Sequence, residues 1–196
     1  MIMLNSSENG GLLLKKAIFL DRDGVINEVK SKRVKFVNRR DQFFFLPRVK
    51  EAIKHLSNGG YELFIVTNQG GVGLGFLDPG QLEDIHAFML EELSSFGGII
   101  KEVAACVHAP HAACTCRKPE AGMLLDLAER HGIDLTSSYM VGDREPDILA
   151  GQNAGCKTIL ISDAPLPGVE ADFVFPDLWE ASLFLVDDAS STLIQT

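Results

Sequence analysis

Asp21 and Asp23 flank Arg22 in the segment FLDRDGVIN, directly after the apolar run KAIFL. Alternate residues of an extended chain point to the same side, so the two carboxylates should converge just beyond a predicted strand. Like charges that close are unfavourable unless a cation neutralises them or one carboxyl group holds a proton. A hard, oxygen-preferring ion such as Mg²⁺ suits the pair. An aspartate-rich turn can also contain the pattern D-x-D, so the pair alone is weak evidence for a catalytic site.

Similar polar residues follow two other apolar runs. In VTNQGG, Thr67 lies at a predicted strand end, ahead of a glycine-rich turn whose backbone N–H groups could cradle a phosphate. In GDREPD, Asp143 has the same position after another run, and RKPEAGM offers the cations Arg117 and Lys118 before a predicted helix. Nucleotide motifs do not fit, because GVGLGF lacks the last glycine of G-x-G-x-x-G and the chain has no G-K-S/T. Together these residues predict phosphate chemistry.

A second cluster carries soft ligands. The segment CVHAPHAACTC contains two pairs with i, i+2 spacing, Cys106 with His108 and Cys114 with Cys116, separated by five residues. Three thiolates and one imidazole are a common four-coordinate zinc set, and four protein ligands leave no open position, which indicates a structural ion. A disulfide or chance clustering are the alternatives. The zinc would fix the loop that leads into Arg117.

The composition predicts one soluble domain of 196 residues. Its 18 basic and 27 acidic residues give a net charge of -9, which disfavours nonspecific binding of nucleic acid. No apolar run approaches the roughly 20 residues of a membrane helix. The early GLLLKKAIFL is interrupted by two lysines, unlike a signal peptide. We therefore expect a cytoplasmic protein, a compartment in which thiols stay reduced and clustered cysteines more often bind metal.

Short apolar runs rich in β-branched and aromatic residues predict buried strands. They cover residues 16–20, 62–66, 102–106, 139–142, 158–161 and 173–175. Helical spacing predicts helices between them, covering residues 49–56, the stripe of Leu82, Ile85, Met89 and Leu93, and residues 123–130, 146–153 and 178–186. This alternation predicts an α/β protein with a parallel sheet, helices on both faces, and a ligand site beyond the carboxyl ends of the strands.

No linker or internal repeat divides the chain. We predict a single domain over residues 15–188, preceded by a flexible extension, residues 1–14, and followed by a flexible tail, residues 189–196.

The chain resembles the haloacid dehalogenase (HAD) superfamily phosphatases, whose four motifs look like FLDRDGVIN, VTNQ, RKP and VGDREPD. These segments run from Phe19 to about Gly155, most of the chain. The resemblance implies a Rossmann-like sheet with the first strand at its centre, between the strands that carry the second and fourth motifs, and a small flap after the first strand. The C-x-H and C-x-C pairs before RKPEAGM resemble the zinc-binding loop of the heptose bisphosphate phosphatases and the related histidinol phosphatases.

The resemblance implies a role for each motif residue. Asp21 would attack phosphorus and form an aspartyl-phosphate, and Asp23 would act first as general acid and then as general base. Mg²⁺ would bind the Asp21 and Asp143 carboxylates and the backbone carbonyl of Asp23. Thr67 and Lys118 would hold the phosphoryl oxygens.

The resemblance also identifies neighbours of these residues. Asn68, Gln69 and Arg117 are the predicted substrate-binding residues. The family spacing leaves His111 outside the zinc set. Asp147 is expected to brace its loop rather than to bind metal.

The predicted substrate is a small phosphorylated sugar. RKPEAGM resembles the heptose enzymes, which favours D-glycero-D-manno-heptose 1,7-bisphosphate losing its 7-phosphate. Basic residues between 30 and 50 favour a second anionic group. Gly70 and Arg144 depart from the heptose pattern, which usually has serine and lysine there. The alternatives are a histidinol phosphatase, a nucleic-acid 3′-end phosphatase, and a zinc-stabilised binding protein without catalysis.

Overall fold

A single parallel sheet forms the centre of the protein in the computed structural model, which describes residues 14–193, with side chains through residue 187. The strand order is β3-β2-β1-β4-β5-β6, and neighbouring strands pair in parallel. The strands are β1 (Ala17–Leu20), β2 (Glu62–Asn68), β3 (Glu102–Cys106), β4 (Tyr139–Gly142), β5 (Lys157–Ile161) and β6 (Phe173–Phe175). The predicted strands are therefore confirmed, and β1 lies between β2 and β4 as expected.

Helices cover both faces of the sheet. They are α1 (Val49–Asn58), α2 (Gly70–Gly73), α3 (Pro79–Phe96), α4 (Gly122–His131), α5 (Glu145–Ala154) and α6 (Leu178–Leu193). The short α2 occupies the segment that the sequence predicts to be a glycine-rich turn. The other five helices overlap the predicted ones.

The core is divided by the sheet into two apolar clusters. Ile18 and Leu20 of β1 pack with side chains of α1, α3 and α6, whereas Ala17 and Phe19 pack with side chains of α4 and α5. This alternation follows from the two-residue period of a strand. Because β1 is covered on both faces, each of its four residues is fully buried, and truncating Phe19 to alanine would cost about 3–5 kcal/mol of stability.

The ends of α3 explain its bounds. The Asp78 carboxylate accepts hydrogen bonds from the backbone N–H groups of Gly80 and Gln81, and Pro79 occupies the first helical turn. Gly97 ends the helix in the left-handed conformation. The helix is thus fixed at both ends while its predicted stripe, from Leu82 to Leu93, is buried.

A small flap follows β1, as predicted. It consists of residues 21–48, with one short 3₁₀ turn, Arg40–Gln42. Backbone hydrogen bonds from Glu28 to Phe44 and from Leu46 to Ile26 join its two ends. Apolar side chains anchor it to the core, so it is a packed part of the domain.

The predicted termini are tested only in part. Residues 1–13 and 194–196 lie outside the described residues, and the described Leu14 is exposed. Helix α6 continues to Leu193, past residue 188, where the sequence predicts the domain to end. The flexibility of both ends stays a prediction. In the described part of the chain, every helix is too short or too polar to cross a membrane.

Candidate active site

Several buried polar side chains lie at the carboxyl ends of β1, β2 and β4. A cavity of about 590 Å³ opens there and is lined by Asp21, Asp23, Thr67 and Lys118, which are the four predicted catalytic residues. Three neighbouring strands of a parallel sheet end at the same edge, which brings together residues distant in sequence.

Lys118 lies at the centre of this site. Its Nζ atom is 2.7 Å from Asp21 Oδ1, 2.6 Å from Asp147 Oδ1 and 2.7 Å from the carbonyl oxygen of Val66. Burial would lower the pKa of this lysine, but the charges of Asp21 and Asp147 outweigh it and the pKa is raised. Lys118 is therefore a buried ammonium ion shared by two carboxylates.

Asp21, Asp143 and Asp147 form a carboxylate cluster, with one oxygen of each within 4.8 Å of the others. Burial raises the pKa of Asp21 to about 6, with contributions from Asp147 and Asp23 and an opposing one from Lys118. Burial and the charge of Asp21 raise the pKa of Asp143 to about 6 as well. The buried Asp143 Oδ1 has no hydrogen-bond partner among the described residues. A hard cation would satisfy that oxygen and reduce the repulsion, so the donor set fits Mg²⁺.

Gly24 allows Asp143 to come close to this cluster. Its φ of +98° lies in the left-handed region that favours glycine, and a Cβ atom there would overlap the Asp143 carboxylate. The glycine of DRDG is therefore required by both backbone conformation and space.

Asp23 lies on the other side of the cavity, with its side chain outside the carboxylate cluster. Its oxygens accept hydrogen bonds from Arg22 Nη2 at 3.0 and 2.9 Å, from Asn27 Nδ2 at 2.9 Å and from Gln69 Nε2 at 2.9 Å. Burial raises the pKa of Asp23, but the Arg22 charge and these hydrogen bonds outweigh it and the pKa is lowered. Asp23 is ionised in the free protein.

The side-chain amides of Asn68 and Gln69 form hydrogen bonds to other residues of the protein. Asn68 donates to the carbonyl of Lys118 at 2.9 Å and accepts from its N–H at 3.1 Å. Gln69 Nε2 donates to Thr67 Oγ1 at 2.8 Å as well as to Asp23. Both side chains line the cavity, but these contacts make them supports for Lys118, Thr67 and Asp23.

Arg117 and Arg144 also line the cavity. The buried Nη1 atom of Arg117 has no hydrogen-bond partner among the described residues, and Arg144 Nε lies 3.4 Å from Asp143 Oδ2. Gly70 leaves room for Arg117, because a Cβ atom on Gly70 would lie 3.1 Å from that Nη1 atom. Of the two departures from the heptose pattern, Gly70 thus lies next to Arg117, and Arg144 is itself a cavity-lining residue.

Among the basic residues of the segment 30–50, one, Lys30, lines the cavity. Most of its other cations contact groups elsewhere. Arg33 contacts Glu28, Arg39 contacts Asp41, Lys50 contacts Glu92, and Arg48 stacks on Trp179. The segment therefore does not form one basic patch at the site.

The predicted zinc ligands converge in the loop after β3. Cys106 Sγ lies 3.7 Å from Cys114 Sγ and 3.6 Å from His108 Nδ1, and that Nδ1 atom lies 3.2 Å from Cys116 Sγ. A tetrahedral site with Zn–S bonds of about 2.3 Å places its sulfurs about 3.8 Å apart, so these residues fit zinc. The thiols are free, which excludes the disulfide alternative in this structure. His111 is outside the cluster, as predicted.

The loop that carries the predicted zinc ligands, residues 106–116, packs against α2. A Cβ atom on Gly73 would overlap the backbone of Ala109 and approach that of Val107 and His108. The loop backbone thus lies against the glycine face of the helix that follows Gln69, and the loop leads directly into Arg117.

Comparison with known proteins identifies the family. Residues 115–181 match the HAD-hydrolase-like family. The D-glycero-beta-D-manno-heptose-1,7-bisphosphate 7-phosphatase of Helicobacter pylori is 38% identical over 147 residues, which cover 74% of this chain and 83% of the relative. Its namesake from Pseudomonas aeruginosa is 34% identical over 172 residues, covering 84% of this chain and 94% of the relative. The chain belongs to this family of HAD-like phosphatases.

The likeness extends to three dimensions. A crystal structure of D,D-heptose 1,7-bisphosphate phosphatase from B. bronchiseptica, complexed with magnesium and phosphate, is similar with a TM-score of 0.79 and 34% identity. The similarity covers 88% of this chain and 99% of that chain. The predicted HAD-like fold and the predicted phosphatase family are therefore confirmed.

Two features of this HAD-like phosphatase were not predicted from its sequence. Asp147 contacts Lys118 in addition to its loop, where its Oδ2 accepts from the Arg144 N–H at 3.1 Å. The second is a contact between Arg22 and His86 of α3, 3.2 Å long. The second aspartate of GDREPD, Asp147, indicated the first contact. Nothing in the sequence relates His86 to Arg22, which lies 64 residues earlier.

Proposed function

We propose that the chain is a Mg²⁺-dependent phosphatase that removes the 7-phosphate of D-glycero-D-manno-heptose 1,7-bisphosphate. The observation that carries the proposal is the convergence of Asp21, Asp23, Thr67 and Lys118 in one cavity. Relatives of 34% and 38% identity are named for this activity, which supports the choice of substrate.

In the first step, an Asp21 oxygen attacks phosphorus and the P–O bond to the sugar breaks. The leaving oxygen takes the proton of Asp23, and Asp21 carries the phosphoryl group as an acyl-phosphate. Lys118 and the Thr67 hydroxyl hold phosphoryl oxygens. Lys118 already contacts Asp21, so its charge lies beside the atom that receives the phosphoryl group.

In the second step, water attacks the acyl-phosphate and gives its proton to Asp23. Arg22, Asn27 and Gln69 keep Asp23 ionised in the free protein, which is the state that a base needs. The approach of a phosphate dianion raises the proton affinity of this carboxylate, which supports its role as acid in the first step. Inorganic phosphate then leaves and Asp21 is regenerated. Asp23 releases its proton to solvent in the free protein, where it is ionised, and takes one up from solvent when the next phosphate dianion binds.

Mg²⁺ would be held by the Asp21 and Asp143 carboxylates and the Asp23 backbone carbonyl, and it would reduce the repulsion between the nucleophile and the incoming phosphate. Asp147 remains with Lys118, which it holds in place. Asp147 is assigned to Lys118 because it contacts the ammonium group, and Asp143 is assigned to the ion because its Oδ1 atom has no partner among the described residues.

The second phosphate of the substrate would bind in the same cavity. Arg117 is suited to it, because one buried guanidinium nitrogen lacks a partner among the described residues. Arg144 and Lys30 add positive charge at the same wall. Asn68 and Gln69 would act on the substrate chiefly through the residues that they hold.

Zinc would be structural. Cys106, His108, Cys114 and Cys116 supply all four ligands, and the loop they close leads into Arg117 and Lys118. Four free thiols suit a reducing compartment, so we also propose a cytoplasmic location.

The test compares kcat/KM for three substrates: heptose 1,7-bisphosphate, histidinol phosphate and a 3′-phosphorylated oligonucleotide. We expect the heptose substrate to be preferred by at least about tenfold, or about 1.4 kcal/mol in transition-state binding. A tenfold preference for either competitor would overturn the assignment. Failure to hydrolyse any phosphomonoester with Mg²⁺ would favour a zinc-stabilised binding protein.

A further inference from the structure

Arg22 is a buried cation beside the proposed acid–base residue. Its side chain is 1% exposed, and its Nη2 atom contacts both oxygens of Asp23. Burying a guanidinium ion is unfavourable unless its N–H groups find partners. The position of the Arg22 guanidinium group therefore depends on the groups that its nitrogens contact.

The contact with Asp23 does not fix the orientation of Arg22. Arginine usually binds a carboxylate through two nitrogens, which locks the two planes together. Here one nitrogen, Nη2, makes both contacts, so the guanidinium plane could turn about that atom. Nε has no partner among the described residues. The remaining contact is from Nη1 to His86 Nε2, at 3.2 Å.

His86 is suited to accept this hydrogen bond. It belongs to α3, next to the buried Ile85, on a helix that is capped and packed. Burial first, and then the charge of Arg22, lower the pKa of His86 to about 4, so the ring is neutral near pH 7. A neutral imidazole with its proton on Nδ1 accepts at Nε2. The imidazole thus serves as an acceptor for a charged donor.

We propose that His86 is a positioning residue for the acid–base step: it holds Arg22 by its Nη1 atom and thereby keeps the Arg22 charge on Asp23. Loss of the acceptor lets the guanidinium turn, and the Asp23 carboxylate follows it away from the leaving oxygen. Asn27 and Gln69 still contact Asp23, so the effect is a partial loss of proton transfer. This inference rests on the proposed function.

The experiment separates a leaving group that needs a proton from one that does not. First-turnover rates are measured for two substrates. The sugar oxygen of the sugar bisphosphate is a poor leaving group that needs a proton, whereas the phenolate of p-nitrophenyl phosphate leaves without one. The variants are His86→Phe, which keeps a ring without an acceptor, and His86→Gln, which keeps an acceptor. His55→Phe is the control, because His55 lies on α1 and packs against Trp179 of α6, and neither residue lines the cavity.

We expect His86→Phe to lower the ratio of the sugar rate to the p-nitrophenyl rate by about tenfold, and His86→Gln to restore most of it. In an Arg22→Gln background, His86→Phe should have no further effect on the ratio. If His86→Phe does not fold, the smaller His86→Leu takes its place. If the ratio of the two rates is unchanged in folded variants, the role of His86 is wrong and the proposed function is unaffected. A wild-type protein that hydrolyses neither substrate overturns the proposed function as well.

Discussion

The ammonium group of Lys118 lies 2.6 Å from Asp147 Oδ1, with side-chain exposures of only 2% and 5%. The same nitrogen contacts Asp21, so Asp147 helps to fix the cation that faces the proposed nucleophile. Breaking a buried pair by removing one partner costs about 3–5 kcal/mol, because the other charge stays buried.

We therefore expect Asp147→Asn to lower both stability and kcat. A double-mutant cycle with Lys118→Met, followed by chemical denaturation, should give a coupling of at least about 1 kcal/mol. Glu92→Gln, which removes a half-exposed partner of Lys50, is the matched control and should cost less than about 1 kcal/mol. Simple additivity of the Lys118 and Asp147 effects would contradict the shared-ion arrangement.

Asp21→Asn should lower turnover by at least about a thousandfold without unfolding the protein, because an amide cannot form the acyl-phosphate. Rapid acid quench of wild type with substrate should trap a phosphorylated chain that the variant lacks. Asp163→Asn, an exposed change outside the cavity, should behave as wild type. Near-normal turnover by Asp21→Asn would remove this residue from the nucleophile role.

Gly24→Ala should impair Mg²⁺ binding and activity, since the added methyl group overlaps the Asp143 carboxylate. Gly60→Ala separates this effect from backbone strain, because Gly60 also has a positive φ, +82°, and no atom lies within 4 Å of its added Cβ. Both variants should lose about 1 kcal/mol of stability. The Mg²⁺ concentration for half-maximal activity should rise in Gly24→Ala only, and an equal rise in both would contradict the steric explanation.

Zinc should copurify at about one ion per chain, and Cys114→Ser should remove it and lower the melting temperature and activity together. Cys156→Ser is the matched control, because Cys156 is a buried thiol that lies outside the cluster. Elemental analysis and thermal unfolding check both variants. Zinc-free protein with unchanged melting temperature and activity would exclude a structural ion.

The stabilising effect of Mg²⁺ should depend on pH. Burial holds the pKa of Asp21 and of Asp143 at about 6, above the ordinary 3.8, so the folded protein binds these protons more tightly than the unfolded chain. The metal-free protein should therefore lose stability as the pH rises from about 4 to about 6. The proposed Mg²⁺ ligands are the ionised carboxylates, so Mg²⁺ should raise the melting temperature more at about pH 7.5 than at about pH 5.

Thermal unfolding with and without Mg²⁺ at the two pH values checks this expectation. Asp143→Asn removes one ligand and should abolish most of the gain at either pH. Asp163→Asn is again the control. A gain of the same size at both pH values would mean that these two carboxylates do not bind the ion.

The sheet was predictable because its strands are short apolar runs with residues buried on both faces. The run KAIFL is typical of a strand buried on both faces, and polar motifs that follow parallel strands meet at the same edge of the sheet. Helix α2 was not predictable, since Gly70, Gly71 and Gly73 lack intrinsic helix preference. Its Gly73 lies against the backbone of the loop of residues 106–116, a tertiary contact that the local sequence does not indicate.

The sequence named the candidate site residues, and the structure brings Asp21, Asp23, Thr67 and Lys118 to one cavity, but their hydrogen-bond partners could not be named from the sequence. Asn68 and Gln69 have the side chains of ligand-binding residues, and only the structure assigns their amides to Lys118, Thr67 and Asp23. Arg22 lies between two predicted catalytic residues, yet its contact with His86 depends on how α3 packs on the flap and sheet. Such contacts have no local sequence pattern.

The position of β1 affects how the chain is made. This strand is synthesised early, but one of its two hydrogen-bonding edges is completed by β4, whose residues Tyr139–Gly142 follow more than a hundred residues later. During translation, β1 can pair with β2 while its other edge stays open, and an open apolar edge is a template for pairing with other chains. We therefore expect the ribosome-bound chain to pass through a stage at which Asp21 is present without Asp143 and one edge of β1 is unpaired, until β4 has emerged and paired with it.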